Sequence, residues 1–303
     1  MATRPEIPYY APKETLPAPL PTLKEIRAVK KKDVLCRKVG NWTVRFGEHY
    51  VVKYGESPVH IQEGENLLFV RQATTIPVPT VYAIWKEGDC HVLVTEYVEG
   101  ETLKDKWPRL QMNPRAAEIK EMVARQLRRY VHELRAIPSP GYYGGIWEQG
   151  VLDPILTFRP FVGEQIDPLV KKPSRSEEEW CEMMISAAEN FMPSNNFSNA
   201  QWVRRKLSTM FSEGHEPKFT HCDIINRSNL MVSPNGVIVP VDWSMAGWYP
   251  SYWEYCYAES FAYDDDWSDW VSDMFEGMKY VPELGWFSNF RSWMGYRAFQ
   301  YQH

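Results

Sequence analysis

The spacing of apolar residues changes near residue 100, and this change restricts the fold more than any other feature of the chain. Between 34 and 96, β-branched and aromatic residues fall in short runs (34–39, 42–46, 50–53, 82–85 and 91–96). Turn formers separate them: Gly40-Asn41, Gly47-Glu48 and Lys86-Glu87-Gly88-Asp89. One helix-like run, 62–73, interrupts the series. Ile76-Pro77-Val78-Pro79 follows and must be extended, because a residue before proline avoids the helical region. These signals predict a small, mainly antiparallel sheet with one helix. Beyond Gly100 the period is helical. Ile119, Met122, Val123, Leu127, Tyr130, Val131 and Leu134 share a face behind an Asn113 cap and Pro114, and Pro138 ends the helix. Ser176 and Glu179 make a capping box before Trp180, Met183 and Met184. Residues 138–173 read as a long irregular connection, 219–242 regain strand character, and 250–300 are helical. The expected architecture is α+β in two lobes: a sheet lobe at 34–97 and a helical lobe with an embedded hairpin at 98–303. Residues 1–33 precede them as an arm with a short helix at 23–29. The first 21 residues hold six prolines, which resist helix and ladder pairing, so the arm is expected to be extended on the surface or disordered.

Composition removes several classes of protein. At 303 residues, with 44% hydrophobic and 24% charged, the chain can bury a large core and is neither collagen-like nor disordered. No apolar run approaches the roughly 18 residues of a membrane helix, and the start lacks the apolar stretch of a secretory signal. A soluble, cytoplasmic protein without a membrane partner is the expectation. The 34 Lys and Arg against 39 Asp and Glu give a net charge of −5, the wrong balance for a nucleic-acid partner bound through phosphate neutralisation. Five scattered cysteines without a Cys-x-x-Cys argue against a disulfide framework or a zinc site. The 13 Trp and 17 Tyr suit an aromatic core.

The segment 219–243 carries the chemistry. A polar loop from His221 to Asn229 precedes two apolar runs, 230–232 and 237–241, joined by Ser233-Pro234-Asn235-Gly236. A hairpin of this kind returns Asp242 beside Asn229, with Asp223 on the same loop. Two carboxylates and an amide oxygen are hard donors suited to Mg²⁺ that keeps waters and phosphate oxygens. Asp223 and Asn229 equally suit turn capping.

The segment resembles the catalytic loop and metal-binding strand of the aminoglycoside phosphotransferase and choline kinase group. His221-Cys222-Asp223 is similar to its His-Gly-Asp, and Val241-Asp242-Trp243 to its Ile-Asp-Trp. Ala246-Gly-Trp-Tyr-Pro-Ser-Tyr-Trp-Glu254 resembles the sequel in the group's fungal branch. Upstream, Val51-Val52-Lys53-Tyr54-Gly55 resembles the lysine strand, Glu63 the helix glutamate, and 93–103 the hinge. The resemblance spans roughly residues 34–300. It implies a bilobed protein-kinase-like fold and transfer of the γ-phosphate of ATP to a hydroxyl of a small molecule with Mg²⁺. Under it Lys53, paired with Glu63, holds the α- and β-phosphates, and backbone groups of Glu96, Tyr97 and Val98 bind adenine. Asp223 orients the substrate hydroxyl and accepts its proton, while Asn229 and Asp242 hold magnesium. Glu65 competes with Glu63 for the lysine but faces differently on a helix.

The sequence departs from the family in one respect. The family's asparagine follows the aspartate by five positions, where this chain has Ser228; Asn229 is one further. The extra residue lies within 224–228 and offers Asn226 as an alternative polar group. No Gly-x-Gly-x-x-Gly loop precedes Lys53, and the phosphotransferase group commonly does without one. Tyr263-Asp-Asp-Asp-Trp-Ser-Asp-Trp-Val-Ser-Asp273 mixes acids and indoles, and suits either a cationic or amino-bearing small-molecule substrate or a helix start with a solvated face. Glu254 reads as either a buried helix-pairing residue or a pocket residue, with helix pairing preferred. The expected function is small-molecule phosphotransfer. Its rivals are a catalytically silent kinase-like binding protein and a kinase-fold enzyme redirected to another reaction on a small metabolite.

Overall fold

In a computed structural model, which describes residues 3–38, 40–110, 112–153, 172–191, 214–261 and 266–293, the alternating segments pair as a sheet. Strands β1 (Tyr9–Tyr10), β2 (Val34–Lys38), β3 (Asn41–Phe46), β4 (Tyr50–Gly55), β5 (Val81–Glu87) and β6 (Cys90–Glu96) lie in the order β1-β5-β6-β4-β3-β2. Gly47 and Gly88 turn two of the hairpins at φ 63° and 60°, a conformation that a Cβ disfavours. Alternation gives the sheet two unlike faces. Val44, Val52, Val92 and Val94 are buried on one, with Tyr50, Tyr54 and Ala83. Thr43, Lys53 and Leu93 are opposed in register on the other, against α2 (Val59–Ala73). Helix and sheet meet closely at Gly64, where a Cβ would lie 2.6 Å from Ile84 Cδ1 and 2.9 Å from Leu93 Cδ1.

The proline-rich arm corrects the expectation of a segment that avoids ladder pairing. Tyr9 and Tyr10 keep their N–H groups between Pro8 and Pro12, and pair with Ile84 and Ala83 as an edge strand. Ala11, Leu23 and Ile26, with Leu16, Ala18 and Leu20 partly buried, then cover the valine face. Helix α1 (Leu23–Arg27) is shorter than expected and starts on a reciprocal Thr22–Glu25 capping box.

The chain divides into two compact units. Among the described residues, the first holds 3–106 and 228–244, and the second holds 107–153, 172–191, 214–227, 245–261 and 266–293. The hairpin of β9 (Leu230–Val232) and β10 (Ile238–Pro240), assigned from sequence to the helical lobe, groups with the sheet unit. β9 pairs with β7 (Glu101–Thr102), which follows β6 directly.

In the second unit, β8 (Pro217–Thr220) pairs with β11 (Gly247–Pro250). Helix α3 (Leu103–Leu110) starts in the first unit and enters the second at Trp107, where α4 (Ala116–Ala136) buries Val123, Leu127, Tyr130, Val131 and Leu134. Two expectations for α4 are corrected. Asn113 bonds the Arg115 N–H at 2.8 Å in the turn before the helix rather than capping it, and Met122 is 42% exposed. Helices α5 (Glu177–Phe191), α6 (Trp253–Phe261), α7 (Trp267–Met274) and α8 (Val281–Trp293) complete the described unit. Ser176 caps α5 through the Glu179 N–H, but the Glu179 carboxylate takes the Arg175 N–H instead of closing the box. Trp180, Tyr249, Trp253 and Phe287 form the aromatic core by edge and tilted contacts. Among the described residues no helix is long and apolar enough to cross a membrane.

Candidate functional site

In the sheet unit the structure brings Lys53, Glu63 and Asp242 together. Lys53 Nζ lies 2.8 Å from both Glu63 carboxylate oxygens and 3.2 Å from Asp242 Oδ1. The helical period settles the choice between the two glutamates: Glu63 faces Lys53, and Glu65 pairs at 2.8 Å with Arg4 Nε. Burial pushes the Glu63 carboxyl up to about 7, against the opposing pull of the Lys53 charge. Asp242 and Glu63 hold the Lys53 ammonium above its ordinary range although burial works the other way. Burial also opposes ionisation of Asp242, but Lys53, then Lys38, and a hydrogen bond from Ser244 Oγ at 2.9 Å bring its pKa well below the carboxylate range.

Asp242 stands where β10 ends, at φ 63°, a left-handed conformation that costs a non-glycine residue about 1–2 kcal/mol. The neighbouring contacts hold it there. Trp243 Nε1 donates to Pro240 O at 2.9 Å, and Asn66 Nδ2 donates to Trp243 O at 2.7 Å. Asn66 lies one helical turn beyond Glu63, so α2 reaches both the lysine and the aspartate turn. Asn229, 8% exposed, precedes β9, and its carbonyl accepts the Val241 N–H at 2.8 Å. The hairpin therefore returns Asp242 next to the residue bonded to Asn229.

At the end of β6, among the three residues whose backbone groups are expected to bind adenine, two N–H groups are already used. The Glu96 N–H donates to Thr80 O and the Tyr97 N–H to His49 O, each at 2.8 Å. The Glu96 carboxylate accepts Thr80 N and Oγ1 at 3.1 and 2.8 Å. Among the described residues none accepts the Val98 N–H, which narrows the backbone donors to that group.

In the second unit, β8 delivers His221, Cys222 and Asp223. The Glu254 carboxylate on α6 accepts the backbone N–H of His221 at 2.6 Å and of Cys222 at 3.2 Å. Glu254 thus anchors the loop rather than pairing helices, which corrects the sequence reading. Its burial pushes it up to about 7 against the N–H groups of Cys222, His221 and Ile224. Cys222, fully buried at φ 70°, occupies the middle of the motif in a conformation suited to glycine. The extra residue is absorbed in a turn closed by Asn226 N and Asp223 O at 3.3 Å, with Ile224 and Ile225 both buried. Trp267 Nε1 bonds the Ile225 carbonyl at 3.1 Å. Asn226 Nδ2 donates to Asp223 Oδ2 at 3.1 Å, so the lengthened loop does present Asn226, and to the aspartate itself.

The acid- and indole-rich stretch is only partly described; 262–265 lie outside the described residues. Asp266 is bonded to Trp107 Nε1 at 2.9 Å and to Lys120, and Trp267 is buried, so these two serve the fold. Asn66, Ser244 and Lys38 carry no site expectation from the sequence. Asn66, three positions after Glu63, was the one with a usable signal.

The family model of APH, the phosphotransferase enzyme family, matches residues 39–283. The chain belongs to this family. A search of curated proteins returns no match. Among solved structures, a thermostable mutant of aminoglycoside phosphotransferase APH(4)-Ia in its apo form superposes with a TM-score of 0.60. It shares 13% identity over 86% of this chain and 84% of its own. A mutant of that enzyme in ternary complex with ADP and hygromycin B gives 0.57 at 14% identity, covering 86% and 83%. The streptomycin–ATP ternary complex of APH(2")-IIa gives 0.55 at 14% identity, covering 90% and 87%. At these identities the likeness establishes the fold: this APH-family chain has the kinase-like α+β fold of the aminoglycoside phosphotransferases.

Proposed function

We propose that this protein transfers the γ-phosphoryl group of ATP to a hydroxyl of a small molecule. The observation that carries the reading is the Lys53–Glu63 and Lys53–Asp242 contacts in one unit, because they place a fixed cation beside an ionised acid. Family membership and the ATP- or ADP-bound neighbours support it. Phosphoryl transfer asks the protein mainly for alignment and charge neutralisation on oxygens.

Lys53, oriented by Glu63, binds the α- and β-phosphates, and the Val98 N–H meets adenine. Asp223, held by the Asn226 amide, orients the acceptor hydroxyl and takes its proton. Asn229 and Asp242 are the residues for Mg²⁺. Their hard oxygen donors and the depressed pKa of Asp242 fit that ion, which takes few protein ligands when phosphates complete its shell. The ion, when bound, neutralises charge building on the phosphate oxygens. The alternative is a nucleotide-binding protein without transfer, favoured by the extra residue between Asp223 and Asn229.

The test is ³¹P detection of a phosphorylated product across a panel of hydroxyl- and amino-bearing metabolites. Asp223→Ala and Asp242→Ala are each expected to lower turnover by about 10² or more. Nucleotide binding with no product from any acceptor supports the silent alternative, and unchanged turnover in either variant removes that residue from the reaction.

A further inference from the structure

Lys38 stands in an unusual place for a residue that sequence reading passes over. It ends the edge strand β2, opposite Asn41, and two positions earlier Cys36 stands opposite Thr43. β3 in turn sets Thr43 opposite Lys53 and Asn41 opposite Gly55. Directly opposed residues of an antiparallel pair project to the same face. Cys36, Lys38, Asn41, Thr43 and Lys53 therefore share one face of the sheet, the face carrying the Lys53–Glu63 contact.

The end of this hairpin is held in place. Gly40 O accepts the Glu56 N–H at 3.2 Å, and Asn41 Oδ1 accepts the Ser57 N–H at 3.3 Å and lies 2.9 Å from His60 Nε2. The approach is so close at Gly55 that a Cβ there would sit 2.1 Å from Gly40 O. The hairpin is thus fastened to the end of β4 and the start of α2, and it has no glycine-rich loop with which to wrap phosphates in backbone N–H groups. Meanwhile Lys53 is committed to two carboxylates, whereas Lys38 is exposed. A triphosphate brings more negative charge than one shared ammonium balances.

We propose that Lys38 is a second phosphate-binding cation, which supplies from a fixed hairpin the neutralisation that a glycine-rich loop provides through its backbone. Lys38 opposes Asn41 and Lys53 opposes Thr43, so the two lysines stand on one face of the sheet, one side-chain step apart along β3. The inference rests on the proposed nucleotide site and specifies how that site discriminates ATP from less charged nucleotides.

Calorimetric titration of Mg²⁺-ATP and of AMP into the full chain tests it, with Lys38→Ala and Lys38→Arg alongside. The alanine variant is expected to bind ATP about tenfold more weakly, the loss of one charge-assisted contact, and AMP almost unchanged. Arginine is expected to restore ATP binding. Cys36 supplies an independent readout, because it is the exposed cysteine while Cys90, Cys222 and Cys256 are buried and Cys181 is half-buried. Mg²⁺-ATP is expected to slow alkylation of Cys36 several-fold, and adenosine is not. Equal ATP affinity in wild type and Lys38→Ala, or alkylation of Cys36 indifferent to ATP, overturns the role of Lys38 and leaves the nucleotide site standing. Absence of ATP binding by the wild type overturns both.

Discussion

Cys222 holds a left-handed backbone with a buried side chain, and two substitutions separate these effects. Cys222→Ala and Cys222→Gly both lose the thiol packing, but only glycine relieves the backbone. The glycine variant is expected to be the more stable of the two by about 1 kcal/mol in urea unfolding. Glu254 makes a sharper case. Its carboxylate accepts the N–H groups of His221 and Cys222, and Glu254→Gln turns one acceptor oxygen into a donor facing them. Destabilisation of about 1–3 kcal/mol is expected from the unsatisfied groups. Turnover is expected to fall with Mg²⁺-ATP affinity unchanged, since Glu254 and Lys53 belong to different compact units. At this scale the contacts of Lys53 with Glu63 and Asp242 were legible through the family resemblance, because the order and spacing that carry it are properties of the chain. The role of Glu254 was not, because accepting main-chain N–H groups 32 and 33 residues away leaves no periodic trace.

Among the elements, His215 joins three. Just before β8, its Nδ1 lies 2.7 Å from Glu177 of α5 and its Nε2 3.2 Å from Glu283 of α8, with Tyr252 and Tyr280 against the ring. Burial disfavours the imidazolium, but the two carboxylates outweigh it, and the pKa is raised. A raised folded pKa makes this stabilisation complete below the unfolded value near 6.5 and removes it as pH rises through the folded value. Urea unfolding across pH 6 to 9 is expected to show falling stability above about 6.5, and His215→Gln to flatten that slope. The strands at 34–96 were readable because turn formers bound short alternating runs. The pairing of Tyr9 and Tyr10 was hidden, because a two-residue strand has no period and its neighbours are prolines. Helix α2 begins at Val59, three residues before the expected start, since His60 in its first turn is a buried polar residue that an apolar period does not count.

For the molecule as a whole, ligand and stability are linked. A ligand that binds only the folded chain adds about 2.7 kcal/mol at a hundredfold excess over its Kd. Mg²⁺-ATP at that concentration is expected to raise the unfolding temperature, and Lys53→Met to abolish the rise while remaining folded. Hydrogen exchange offers a regional check: protection is expected in 34–106 and 230–240, and uniform protection of both units or none at all counts against the assignment of Lys53.

The arm sets a practical limit on how the protein is handled. The family match opens at residue 39, after β1, α1 and β2. A recombinant fragment trimmed to that boundary would present Val44, Val52, Val92 and Val94 to water and discard Lys38, yielding inclusion bodies rather than an inactive enzyme. Expression of the chain from its first residue, with any affinity tag at the opposite terminus, keeps this cover seated.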